Sequence, residues 1–359
     1  MQFGILFTSH PDAAFEPYPH QAVHARVTRE ILAADRLGFD TAWIAEHHFS
    51  NQYGIMPDPY AYMGYLAAKT ERIRLGTAVM TVPFYDPIRI VENTAFIDIL
   101  SGGRITLGLG SGYRPYEFAG LGVDFEARRD IQEEAIAMIL DGFHTRRINH
   151  AGRYFKRQID GDYELLPACV QAPHPPLYMA AGTERSMSFA ARHGFGLMLS
   201  TLPGFETLAG QIATYRRHLA TCPAPLNQNP AFGHIDIARW VYVAESDAQA
   251  KADTESGILR HLAHFLGKQT AGYLGTVSEK GSTPALDYEE LSRTTLIHGS
   301  PETVIRRLKQ LQAATGMTSL LLHYPPYYGP EKVLDMLRLF SATVMPEFRG
   351  DPPTHVAAE

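Results

Sequence analysis

Cysteine is nearly absent from this chain: Cys169 and Cys222 are the only two in 359 residues. Two isolated thiols supply neither the disulfide framework of small secreted domains nor the paired spacing of a zinc ribbon. No apolar run approaches the roughly 20 residues that span a bilayer. Basic clusters are missing too: 32 Lys and Arg stand against 38 Asp and Glu, a formal net charge of −6. That balance argues against nucleic acid or an anionic membrane as partner. The opening MQFGILF has no basic n-region and no cleavage site, so a cytoplasmic location is expected. No serine occupies a Gly-x-Ser-x-Gly elbow, neither cysteine has a nearby partner, and the histidines show no carboxylate at metal spacing. Covalent hydrolysis and a metal centre therefore lack support.

What the chain does have is apolar content, 45% against 19% charged, which is enough to bury a large core. Short apolar segments alternate with helical periodicity along it. Strands are expected at Gln2–Thr8, Asp40–Ala45, Ile73–Met80, Ile105–Leu109, Leu177–Ala181, Gly196–Ser200, Ile235–Val243 and Ser319–His323. The intervening helices include His20–Leu37, with Val23, Val27, Ile31 and Ala34 on one face before Gly38 stops it. Eight strands, each followed by a helix, predict an α/β fold, a (β/α)8 TIM barrel forming one domain over 1–359. Two excursions interrupt the rhythm: one at 144–173 after helix 4, with a short hairpin, and one at 267–293 after helix 7. A doubly wound open sheet is the alternative that the strand count disfavours.

Three stretches carry chemistry. Asp40–Phe49 reads DTAWIAEHHF, a buried strand ending in Glu46, His47 and His48. At the carboxyl end of a barrel strand such side chains face the active-site mouth, and a carboxylate with two imidazoles suits proton transfer. Capping or plain structural hydrogen bonding would also account for the triplet. GLGSGYR, at 107–114 with its flanks, fails the dinucleotide fingerprint because Tyr113 stands where the third glycine belongs. What remains is a glycine-rich turn whose backbone can approach a ligand through Ser111 and Gly112, or an ordinary tight turn. AAGTERS places Gly182, Thr183 and Ser186 at a helix start, which fits either a phosphate site or N-capping by Thr183. Arg128 and Arg129 are the nearby candidates for positive charge.

On these residues the chain resembles the bacterial luciferase-like flavin monooxygenases. FDTAWIAEHHF, GTAVMTVPFYDPIR, ENTAFIDILSGGR, GLGSGYRPYEFAGLGVD, AAGTERS, GSPETVIRRLKQLQAATG and LFSATVMPEF carry the resemblance along most of its length. It implies a TIM-barrel subunit, commonly a homodimer, that takes reduced FMN (FMNH2) from a separate flavin reductase. The reduced flavin would capture O2 as a C4a-hydroperoxide and oxygenate a small to medium hydrophobic substrate, an aldehyde or ketone being favoured. The resemblance makes His47 the catalytic imidazole, assisted by His48, with Glu46 expected to fix the His47 tautomer. It puts a non-proline cis peptide at Ala78–Val79 against the flavin ring. The phosphate end falls to Ser111, Arg129, Gly182, Thr183 and Ser186, with Gly112 in the same turn. Tyr113, Phe7 and Tyr116 are expected around the substrate, and 267–293 is expected to be a lid. Gly110, Ser111 and Gly182 depart from the luciferase catalytic subunit's cysteine, arginine and glutamate, so light emission is not expected. The alternatives are an F420-dependent hydride-transfer oxidoreductase on the same barrel and, of another class, a non-catalytic flavin-binding protein.

Overall fold

The barrel closes because its last strand returns to its first. In the computed structural model, which describes residues 1–12, 14, 16, 19–50, 53–266 and 286–349, eight parallel strands pair in chain order. They are β1 (Gln2–Phe7), β2 (Thr41–Ile44), β3 (Arg74–Thr77), β4 (Ile105–Gly110), β5 (Leu177–Ala180), β6 (Gly196–Leu199), β7 (Ile235–Val243) and β8 (Ser319–His323). β4 pairs with β5 through Leu107 and Leu177, and β8 pairs with β1 through Ser319 and Gln2, so no barrel edge is left open. The predicted (β/α)8 order is the observed one.

Helix boundaries follow local chemistry. Asp58, Asp86, Ser246 and Ser300 each accept a hydrogen bond from the first turn of the helix they precede, and Pro59, Pro87 and Pro301 occupy first positions where no backbone donor is needed. The helices bury one face against the outside of the barrel in a core that includes Ile31, Met63, Ile90, Ile139, Leu208 and Phe340. The inside holds a smaller cluster of Trp43, Tyr178, Met198, Ala238 and Leu321. Trp43 fits there only because its neighbours are glycines. A Cβ on Gly4 would lie 2.7 Å from the indole, and one on Gly76 would lie 2.5 Å from it and 2.6 Å from Thr106.

Several local expectations change. The β3 ladder stops at Thr77, short of the expected Met80; the Ala78–Val79 peptide is cis, as the resemblance implied, and pairing resumes at Met80–Thr81 beside Leu109 and Gly110. The stretch after GLGSGYR forms the helix Pro115–Leu121. His47–Ser50 pairs antiparallel with Gly54–Met56. The excursion at 144–173 does carry a hairpin, Ile148–Ala151 against Lys156–Ile159. Of the expected lid at 267–293, residues 267–285 lie outside the described residues, and the remainder leads into the helix Tyr288–Thr294, capped by Asp287. A further short strand, Ile297–Gly299, extends β7 along Val241–Val243. Among the described residues no helix is long and apolar enough to cross a membrane.

Gly76→Ala is expected to destabilise the fold by about 1–3 kcal/mol, because an added methyl must displace packed side chains. A urea unfolding midpoint equal to that of the unmodified protein would contradict this account of the barrel interior.

Candidate active site

The carboxyl ends of the strands surround one cavity that contains most of the singled-out residues. Its walls include His47, Ala78, Val79, Ser111, Gly112, Tyr113, Arg129, Gly182, Thr183 and Ser186. His48 is not among them. Phe7 packs into the outer core edge-on to Tyr324, so it does not shape the cavity. Tyr116 lies off the lining as well, as does Arg128, whose guanidinium sits 3.8 Å from the Phe125 ring centroid and donates to its carbonyl at 2.7 Å.

Glu117 holds the histidine wall, and the sequence reading missed it. The Nδ1–H of His47 donates to Glu117 Oε1 at 3.0 Å, and the backbone N–H of His48 donates to the same oxygen at 3.0 Å. Burial pushes this carboxyl up, but the hydrogen bond from His47 and the other donors outweigh it and hold it below the usual carboxylate range. An ionised Glu117 only accepts, so Nδ1 of His47 carries a proton, and in the neutral ring Nε2 is then the accepting nitrogen, on a ring that lines the cavity. The expectation that Glu46 fixes the His47 tautomer is thereby corrected. Glu46 Oε1 instead receives His48 Nε2 at 2.9 Å and the Tyr85 hydroxyl at 3.0 Å, while Oε2 takes the Thr81 N–H at 2.8 Å. Burial pushes Glu46 up against these donors. His48 is raised as well, for a different reason: burial alone would lower it, but its bond to Glu46 prevails. His48 therefore sits behind Glu46 rather than in the cavity. The hairpin keeps the His47 ring in place at close quarters, since a Cβ on Gly54 would lie 2.4 Å from the Thr8 carbonyl and 3.1 Å from His47.

The cis peptide forms the neighbouring wall. Thr77 Oγ1 donates to the Gly108 carbonyl at 2.7 Å and accepts from the Gly108 N–H at 3.0 Å, while the Ala78 N–H donates to Ile44 at 2.8 Å. Val79 then leans on Gly110, where a Cβ would lie 2.4 Å from its methyl. Gly110 is thus required by Val79, which accounts for the absence of a larger side chain there.

At the opposite end, Thr183 caps the helix Glu184–Arg192 in a capping box with Ser186. Ser186 Oγ accepts from the N–H groups of Gly182 and Thr183 at 3.3 and 3.1 Å, so capping is realised here. Arg185 is committed to Asp130 and Glu133. Arg129 lines the same end and has no ion-pair partner among the described residues. A cradle of small residues, a helix N-terminus and a spare guanidinium fit a flat cofactor with a phosphate tail. Among the described residues no three His, Cys, Asp or Glu side chains converge as metal ligands.

The acid limb of stability reports on Glu117. A carboxyl held low in the fold contributes stability that is complete above its unfolded pKa, near 4.5, and is lost as the pH falls through the lowered folded value. The stability gap between the unmodified protein and Glu117→Gln is expected to shrink between about pH 7 and about pH 3. Urea midpoints that stay a constant distance apart across that range would remove the carboxylate from this role.

With this geometry in view, comparison with known proteins is informative. The family model described as "Luciferase-like monooxygenase" matches residues 1–319. The 4-hydroxyprotoasukamycin monooxygenase of Streptomyces nodosus subsp. asukaensis is 28% identical over 329 residues, 88% of this chain and 84% of the relative. The oxygenase component of the flavin-dependent trigonelline monooxygenase of Acinetobacter baylyi is 27% identical over 78% of each chain. Two solved structures share the fold. The oxygenating constituent of 3,6-diketocamphane monooxygenase from Pseudomonas putida, in complex with FMN, superposes with a TM-score of 0.79 at 19% identity, over 96% of this chain and 98% of that one. An F420-dependent secondary alcohol dehydrogenase superposes with a TM-score of 0.75 at 15% identity, over 97% and 99%. The barrel, the histidine wall at the end of β2 and the family match lead to one conclusion: the chain belongs to the luciferase-like monooxygenase family.

Proposed function

We propose that this chain is the oxygenase component of a two-component flavin monooxygenase, using FMNH2 from a separate reductase and O2 to oxygenate a small to medium hydrophobic aldehyde or ketone. The observation that carries the reading is His47, whose Nδ1–H is held by Glu117 so that Nε2 is the free nitrogen at the cavity. The relatives named as monooxygenases, one of them an oxygenase component, support the division of labour with a reductase.

Reduced flavin, when bound, supplies the electrons that activate O2; the protein supplies place and protons. Ala78, Val79 and Gly110 would hold the ring, and Arg129, with Ser111, Gly112, Gly182, Thr183 and Ser186, would hold the phosphate. His47 Nε2 takes a proton from the reacting oxygen and later returns it, and an imidazole is well matched to that exchange near neutral pH. Glu117 stabilises the positive charge that His47 gains meanwhile, at 3.0 Å. His48 acts through Glu46 and the Thr81 N–H, bracing the cis-peptide wall rather than touching the reacting atoms. The subunit pairs with a second copy through the apolar face of Tyr65, Phe96, Ile99 and Leu100, exposed large side chains of which the last three recur at i, i+3 and i+4 on the helix Pro87–Leu100. The expected lid at 267–293 belongs to this proposal and would keep water from the site.

His47→Ala is expected to lower product formation by about 10²–10⁴-fold while FMN affinity changes little. Turnover at the unmodified rate would rule out His47 as the base. Arg129→Ala is expected to weaken FMN binding by about 10–100-fold in a fluorescence titration, the worth of a charge-assisted phosphate contact. Presenting the protein separately with FMNH2 and with reduced F420, then with O2, decides between the readings. An oxygenated product carrying label from 18O2, formed only with FMNH2, supports the monooxygenase. Tight F420 binding without oxygen uptake supports hydride transfer, as the fold shared with the F420-dependent alcohol dehydrogenase allows.

A further inference from the structure

Beyond His47 the cavity is walled by rings. Tyr53 meets His47 with centroids 4.5 Å apart and Phe265 at 5.4 Å, and His261 lies nearly parallel to Phe265 at 6.0 Å. Trp240, at the carboxyl end of β7, stands 6.2 Å from His261 and 6.5 Å from His323, and all five of these side chains line the cavity. Such a wall favours a flat, rigid ring over a flexible chain, because a ring meets faces and edges at little conformational cost.

The rings that face the cavity are polar without being charged, and the buried Arg114 guanidinium lies against two of them, 4.1 Å from the Tyr53 centroid and 5.6 Å from that of Phe265. Burial drives His261 well below its ordinary value and lowers His323 to about 4; His10, beside His261 and lowered by burial to about 3, completes a neutral imidazole group. His323 Nδ1–H donates to the Leu6 carbonyl at 3.1 Å, and His10 Nε2 faces the Tyr327 hydroxyl at 2.9 Å. The Tyr113 hydroxyl is spent on Tyr53 at 3.0 Å. Three buried ring nitrogens here meet no partner among the described residues: Nδ1 of His10, Nδ1 of His261 and Nε1 of Trp240, whose side chain is 1% exposed. Indole nitrogen can only donate, and a buried donor without an acceptor is costly. A ligand oxygen would satisfy it.

We propose that the wall of Tyr53, Trp240, His261 and Phe265 selects a neutral, flat ring ketone, whose carbonyl oxygen accepts the Trp240 N–H, over an open-chain aldehyde. This rests on the monooxygenase reading for the identity of the site and narrows its substrate class. Trp240 is here a specificity-determining residue, and His47 keeps its role in proton transfer. The N–H accounts for the carbonyl and the rings for its flat frame.

Equilibrium dialysis of the full-length protein, with and without oxidised FMN and with no reductant, tests this without turnover. The probes are 1-tetralone, tetralin, which is the related ring without the carbonyl, and decanal. We expect 1-tetralone to bind about tenfold or more tightly than either of the others. Trp240→Phe, which keeps a ring and removes the donor, is expected to bring 1-tetralone down to the affinity of tetralin and leave tetralin unchanged. Equal binding of tetralin and 1-tetralone by the unmodified protein overturns the role of the donor, and equal or tighter binding of decanal overturns selection for a ring. The unmodified protein alone decides both points should the variant fold poorly. Failure to bind FMNH2 in a separate anaerobic titration would count against the monooxygenase reading, whereas the probe selectivity without flavin still decides this inference.

Discussion

One carboxylate organises the reactive half of this molecule. Glu117 Oε1 receives a ring N–H from His47 and a backbone N–H from His48, 70 and 69 residues earlier in the chain. The first contact selects a tautomer, and the second pins the backbone that carries the ring. Both are charge-assisted, the first buried and the second part-buried, so loss of the carboxylate would leave two donors without partners. Around this anchor the other wall elements take their places. Glu46 turns to the Thr81 N–H, the cis peptide lies between β3 and Met80, and Val79 closes on a glycine that has no room for a side chain.

Burial pushes both carboxylates of the wall up, yet their net shifts run in opposite directions. Glu117 has donors enough to hold it ionised, whereas Glu46 is pushed up despite the hydrogen bonds it receives. Such a divergence separates roles that the residue types alone do not distinguish. The histidines divide in the same way. His47 presents a nitrogen to the cavity, His48 is engaged with Glu46 behind it, and the imidazoles at His261 and His323 are kept neutral by their surroundings.

The barrel was legible in the chain because parallel strands, buried on both faces, appear as short apolar runs at regular intervals. The same holds for the triplet at the end of β2 and the turn at Gly182–Ser186, whose chemistry is local. Glu117 was not legible. It lies in a seven-residue helix with a weak pattern, and its partner is fixed only by the close approach of that helix to His47–Ser50. Glu46 was assigned its neighbour's proton because sequence adjacency suggests contact, whereas successive side chains on an extended segment face opposite ways. The ring wall was equally hidden, since Tyr53, Trp240, His261 and Phe265 come from three separate stretches and share no spacing.

The pairing of Ser319–His323 with Gln2–Phe7 also bears on how the polypeptide is made. A nascent chain that has emerged only as far as β7 has every earlier strand but leaves β1 and β7 with unpaired backbone edges. Within the barrel those edges can be satisfied only by β8, which is synthesised after the other seven strands. A ribosome stalled shortly before Ser319 would therefore release a species primed for intermolecular strand pairing, and its need for chaperone protection should end abruptly once β8 is inserted.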